Sequence, residues 1–226
     1  MNEQIKQTTK DILKADYITL LIASALFSAI SRFAGYINTN FSASIVSGVI
    51  TTAATACFAC FYLNAFKRGK GQLNDIFSMF TDKANLPKFL VILVIMCLVD
   101  IGIAKLTLML DIIPVIGISI SLVLVFFVTF MLRIVWFLFA VNPQYPVRYY
   151  FKGSAEYMSS NIISALAFSF TVTFMPLFLI SLTGTFAGDL AETIVSIPLK
   201  AYVNLAFAGF YAHIIPDEWD NGTVEF

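Results

Sequence analysis

Long apolar runs alternate with short polar stretches along this chain, and that alternation predicts its architecture. A helix rises about 1.5 Å per residue, so about 20 mostly apolar residues cross roughly 30 Å of hydrocarbon. Six stretches meet that length, at about 17–36, 42–66, 88–110, 115–141, 161–183 and 190–214. They are too long and too continuous for barrel strands, which alternate over about ten residues. The pattern predicts an all-α fold: a polytopic membrane protein of six transmembrane helices, arranged as three hairpins in a single integral membrane domain over 1–226. Between the third and fourth runs stands only "LDIIPVIG", where Pro114 and Gly117 favour a tight turn.

The polar stretches are themselves patterned. In "GQLNDIFSMFTDK", Leu73, Ile76, Phe77 and Phe80 follow i, i+3, i+4, i+7, with Asp75, Ser78 and Asp82 elsewhere. In "PVRYYFKGSAEYMSS" the apolar set is Val147, Tyr150, Phe151, Ala155 and Met158, while Arg148, Lys152 and Glu156 point away, and Pro146 suits a first helical turn. The N-terminal stretch repeats the theme with Ile5, Ile12 and Leu13 against Lys6, Lys10 and Lys14. Each amphipathic segment leads into an odd-numbered span, and the entries "ADYITLL", "ANLPKFL" and "SSNIISAL" recur roughly every 70 residues, as three copies of one unit would. Such a helix lies in the headgroup plane with its apolar face down, which makes Arg148, Tyr149, Tyr150, Phe151 and Lys152 an interfacial group; a surface for another protein is the rival reading.

Composition agrees with lipid as the solvent. The chain has 226 residues, 59% of them hydrophobic and 12% charged, and a mean hydropathy of +0.84. Its formal net charge is zero, and no basic domain exists to neutralise phosphates, so nucleic acid is not an expected partner. Lysine and arginine nonetheless segregate: Lys6, Lys10 and Lys14 precede the first span, Lys67, Arg68, Lys70, Lys83 and Lys88 lie between the second and third, and Arg148 and Lys152 lie between the fourth and fifth. The alternate loops "INTN" and "TGTFAGD" carry none, so both termini and the amphipathic segments are expected in the cytoplasm. The polar N-terminus is not that of a cleaved signal peptide, so the first run is expected to remain as a span.

Within the spans, Ser44, Gly48, Thr52, Ala56 and Cys60 form an i+4 stripe of small residues, which lets helices approach closely in lipid. Pro176 and Pro198 mark expected kinks. Three charges fall deep inside apolar runs. Counted from the cytoplasmic edge, Arg133 lies at roughly 13 Å, Asp100 at roughly 18 Å and Lys200 at roughly 20 Å depth. An arginine at mid-helix costs at least about 2.5–3.5 kcal/mol, so Asp100 is expected to pair with Arg133, Lys200 or both inside the bundle. That cluster is either a tie that fixes helix register or part of a solute path. Arg32, Lys105, Asp111, Asp189 and Glu192, near the outer ends, read as solvated anchors.

Signatures of catalysis are missing: there is no H-E-x-x-H, nucleophile elbow or Walker loop, and "RGKGQ" lacks the spacing and the Ser/Thr of a phosphate cradle. Cys57, Cys60 and Cys97 read as small buried apolar residues, since His213 alone cannot complete a zinc site. No enzyme activity, metal or cofactor is expected. The lipid bilayer is the expected environment. The first functional reading is a non-enzymatic accessory component that binds a membrane protein partner. A small transporter or channel using Asp100, Arg133 and Lys200 is the alternative, and lipid handling beside Pro176 and Pro198 a third.

Several segments carry a family likeness. "DILKADYITLLIASAL", "FYLNAFKRGKGQLNDIFSMF", "IIPVIGI", "KGSAEYMSSNIISALAFSF" and "IPLKAYVNLAFAGFYAHI" resemble, in that order, the bacterial membrane-protein family called domain of unknown function 975 (DUF975). Pro114, Ser154 with Met158, Pro198 with Tyr202, and Phe210 with Tyr211 take the places of its short motifs; Val115 and Asn161 depart from the glycines expected there. The resemblance implies a multi-pass protein of the bacterial cell membrane, typical of Firmicutes, and brings no established catalytic residues or substrate.

Overall fold

In a computed structural model, which describes residues 2–37, 41–110 and 134–215, the regular elements are helical and no strand occurs among the described residues. The order is α1 (Asn2–Ala15), α2 (Tyr17–Ile37), α3 (Phe41–Arg68), a 3-10 turn (Leu73–Phe77), α4 (Ser78–Thr81), α5 (Leu86–Leu110), α6 (134–141), α7 (Val147–Ser169), a π-helical turn (Phe170–Phe174) and α8 (Met175–Ile214). Four described helical stretches are long and apolar enough to cross a membrane: Tyr17–Ile37, Ser44–Arg68, Leu86–Thr107 and Ile194–Ile214. Most of the expected fourth span, with Asp111, Pro114, Val115, Gly117 and Arg133, lies outside the described residues.

Interhelical contacts set the register. Ser24 meets Tyr62 and the Phe27 ring meets Phe58, so numbers fall on α3 as they rise on α2 and the two run antiparallel. Thr52 against Asp100 packs α5 on another side of α3. Burial identifies the centre: 44% and 50% of the apolar windows of α3 and α8 are buried, against 28% and 29% for α2 and α5. The latter present Ile18, Leu26, Phe33, Val94 and Leu98 outward, as a bilayer requires of a bundle's flank.

Breaks in the helices have local causes. Asn161 leaves helical geometry (φ −117°, ψ 15°) where the polar half of α7 meets its apolar half, and its side-chain amide donates to the Tyr157 carbonyl at 3.0 Å. Gly188 has φ 81° and ψ 174°, a region reserved for glycine, and it divides α8. The two expected proline kinks resolve differently. The π-turn ends just before Met175 and Pro176, where a looser turn relieves the clash of the proline ring with the preceding turn. Pro198 instead sits within α8 without leaving helical dihedrals.

The polar segments fold over the ends of the spans at the end of the bundle where Lys14, Lys67, Arg68 and Lys88 gather. Ile5, Thr9 and Ile12 of α1 are buried against protein, with Ile5 beside Phe66 of α3 and Gly209 of α8. Lys88 donates to the carbonyls of Pro143 (3.2 Å) and Gln144 (2.7 Å), and the Tyr150 hydroxyl donates to those of Asn142 (2.7 Å) and Tyr145 (3.1 Å). These bonds fix α5, the α6–α7 turn and α7 to one another. On α7 the buried face is Tyr149, Tyr150, Gly153, Ser154 and Met158, while Ala155 is exposed. The expected face is therefore rotated, because small Gly153 and Ser154 admit a close neighbour where hydrophobicity alone favoured Ala155.

Candidate functional site

Two polar features and one cavity stand out inside the apolar helices. On α2, Ser24 and Ser28 are one turn apart and both buried. The Ser24 and Tyr62 hydroxyls share a hydrogen bond of 2.5 Å, and the Asn204 side chain bonds the same Tyr62 hydroxyl, so α2, α3 and α8 meet at one point. One turn further along, Lys200 Nζ donates to Ser28 Oγ at 3.5 Å. The result is a polar seam along the α2–α8 contact. In lipid such links hold helices because an unpaired polar group has no water to turn to.

The second feature is on the other side of α3. Thr52 Oγ1 donates to Asp100 Oδ2 at 3.4 Å, with Cys97 one turn away on the same face of α5. Asp100 and Lys200 are thus turned to different neighbours, one to α3 and the other to α2. The third member of the expected cluster, Arg133, lies outside the described residues.

The cavity lies between α2, α3, α6 and α8, beside the Tyr62 link. It measures about 90 Å³ and is walled by Phe27, Phe58, Tyr62, Trp136, Phe137, Phe207 and Tyr211, with Thr55, Ala59 and Asn204 between the rings. The walls support one another: Phe137 and Tyr211 are 4.5 Å apart between centroids, and Phe89 backs Trp136 at 5.7 Å. Trp136, Tyr62 and Tyr211 are almost wholly buried, whereas Phe27, Thr55, Ala59 and Asn204 are half-accessible, so the opening is on their side.

The remaining expected residues fall in several environments. In the small-residue stripe Thr52, Ala56 and Cys60 are buried, but at Gly48 no described atom lies within 4 Å of where a Cβ would be, so only the half of the stripe near the basic end is closely packed. Cys57, Cys60 and Cys97 are free and buried. Arg148 and Lys152 are exposed, Phe151 is half-buried, and Tyr149 and Tyr150 turn inward, where burial pushes both phenols upward. The aromatic chamber and its link were missed by the sequence reading; the available signal was Ser24, Ser28 and Asn204, polar residues at helical spacing within apolar spans.

No family model matches the chain, and no curated protein or solved structure is significantly similar to it.

Proposed function

We propose that the chain is a six-span protein of the bacterial cell membrane, of the DUF975 kind, with its spans paired as three hairpins and both termini in the cytoplasm. Support for the last hairpin comes from Phe168, which stacks on Phe210 (4.6 Å) and meets Phe207 (5.6 Å), residues nearly equidistant from Gly188 on its other side. Support for the orientation comes from the gathering of lysine and arginine at one end of the bundle.

The same proposal makes it a non-enzymatic component that presents a cytoplasmic docking face to a membrane protein partner. One observation carries this. In the segment after α3, Ile76 and Met79 are buried, yet Leu73, Phe77 and Phe80 are 37%, 62% and 45% exposed. That face is held in place: Arg68 pairs with Asp75 at 3.0 Å, Ser78 Oγ donates to the Asp75 carbonyl at 2.7 Å, and Cys60 Sγ contacts Ser78 Oγ at 3.3 Å. Rings preset in this way lose little freedom on binding. A photo-crosslinking residue at Phe77 in native membranes is expected to yield a discrete protein adduct, suppressed by Phe80→Asp. Adducts with lipid alone would remove the docking role.

A second reading, a small transporter, is favoured by Asp100 and Lys200, charges within apolar helices that meet Thr52 and Ser28. It predicts solute or proton flux in reconstituted vesicles that Asp100→Asn abolishes; vesicles that stay silent would dispose of it.

A further inference from the structure

Where α1 turns into α2, Lys10, Leu13, Lys14 and Tyr17 line a shallow groove of about 450 Å³. Its two ammonium-bearing side chains stand one helical turn apart, at i and i+4. The acids of the same segment are engaged elsewhere. Glu3 pairs with Lys6 at 3.3 Å, Asp11 accepts the Gln7 amide at 3.3 Å, and Asp16 holds the Thr19 hydroxyl and the Gly71 N–H. Lys10 and Lys14 are both exposed, and neither makes an ion pair among the described residues. Beyond the groove the apolar surface begins: Tyr17 and Ile18 are exposed, and Ile22 and Leu26, which follow Ile18 at four-residue intervals, are exposed as well. Two cations, an aromatic ring and an apolar stripe thus come in the order in which a phospholipid presents its phosphate, its glycerol level and its acyl chain.

We propose that this groove binds the phosphate of an anionic phospholipid between the Lys10 and Lys14 ammonium groups, with an acyl chain along Ile18, Ile22 and Leu26. Each lysine is a compact point charge with three donors on a flexible stem, which suits a phosphodiester approached from two sides. The preference is for an anionic head group over a zwitterionic one, because no acid lines the groove to pair with a head-group ammonium. The site requires that α2 cross a bilayer, and it is independent of the docking face.

The test places the full chain in nanodiscs of phosphatidylcholine alone or of phosphatidylcholine and phosphatidylglycerol in equal parts, and follows amine acetylation lysine by lysine by mass spectrometry. Phosphatidylglycerol is expected to slow acetylation of Lys10 and Lys14 about tenfold or more, the scale of two lysines at an anionic surface. Lys70 and Lys83, exposed lysines outside the groove, report the general effect of surface charge and are expected to change little. Inorganic phosphate added to the phosphatidylcholine discs is expected to protect neither groove lysine. In a second measurement Ile18→Trp reports on the chain: brominated phosphatidylglycerol is expected to quench it more than brominated phosphatidylcholine, a preference that Lys10→Gln with Lys14→Gln removes and Lys70→Gln with Lys83→Gln leaves in place. Equal protection of all four lysines, protection of none, protection by phosphate as strong as by the lipid, or an unchanged quenching preference without Lys10 and Lys14 would each overturn the site. Co-migration of the chain with the discs is checked first, and its failure would overturn the membrane reading and the site with it.

Discussion

The Asp16 carboxylate accepts the backbone N–H of Gly71 at 2.6 Å, joining the start of α2 to the loop that leaves α3. Its other oxygen accepts the Thr19 hydroxyl at 2.6 Å, inside the first turn of α2, so one side chain braces that turn and ties it to the next loop. Gly71 is required there by space: a Cβ would come within 2.9 Å of the fully buried Phe61 ring. Asp16→Ala is expected to cost about 1.5–3 kcal/mol, the usual range for a hydrogen bond to a charged group. Gly71→Ala is expected to cost about 1–3 kcal/mol through overpacking. Thermal unfolding of the purified chain in detergent measures both, and an Asp16→Ala midpoint equal to that of the parent would contradict the tie.

The seating of α1 makes a pair of predictions with opposite signs. A Cβ on Gly209 would collide with the Phe66 ring and lie 3.0 Å from Ile5 Cγ2, so Gly209→Ala should push α1 off the bundle. Proteolysis after Lys6, Lys10 or Lys14 is expected to accelerate in that variant. Thr9 is fully buried on the same face, and its hydroxyl has no hydrogen-bond partner among the described residues. An unsatisfied buried group costs about 1–3 kcal/mol, so Thr9→Val should slow the same cleavage and raise the melting temperature. A destabilised Thr9→Val would mean that the hydroxyl has a partner in the membrane.

These contacts mark the boundary of what the sequence revealed. Length and apolar continuity located the four described spans to within a few residues, because the cost of unpaired backbone in lipid leaves helices as the only reading for such runs. Asn161, where the fifth expected stretch begins, is the residue at which α7 leaves helical geometry. The buried faces were harder. Phe58 and Tyr62 look alike in sequence whether they face lipid or a cavity, since both surroundings are apolar. Gly153 and Ser154 carry no hydrophobic signal, yet their small size is what buries them. The partner of Asp16 is an amide 55 residues away, and a backbone donor leaves no trace in residue type.

The Ser24–Tyr62 bond offers a direct measure of what a buried polar link contributes in this bundle. Interhelical hydrogen bonds in membrane proteins average about 0.6 kcal/mol and reach about 1.7 kcal/mol. Tyr62→Phe removes one hydroxyl with little change of shape and leaves Ser24 and Asn204 to find other partners. A loss within that range is expected, and Ser24→Ala together with Tyr62→Phe should cost less than the sum of the single losses, since both delete the same bond. Strict additivity in the double-mutant cycle would show that the two hydroxyls do not act together.

Asp82 gives the fold a pH dependence that can be traced to one turn. The carboxylate precedes α5, where it accepts the Asn85 side-chain amide at 2.8 Å and the backbone N–H groups of Ala84 (3.2 Å) and Asn85 (3.4 Å). The Asn85 side-chain bond is the main cause that lowers its pKa below the ordinary 3.8, and the backbone donors and Lys88 act in the same direction. A carboxylate held below its unfolded value releases its proton more readily in the folded chain, so stability rises with pH across that interval. The contribution is complete above the ordinary value, at neutral pH, and is lost as pH falls through the lower folded one. Asp82→Asn keeps an acceptor at the helix start but has no proton to gain. Melting curves between neutral pH and pH 3 are therefore expected to fall less steeply for Asp82→Asn than for the parent, with the difference appearing only below about pH 4, the ordinary range of an aspartate. Parallel curves over the whole range would show that another carboxylate carries the acid sensitivity.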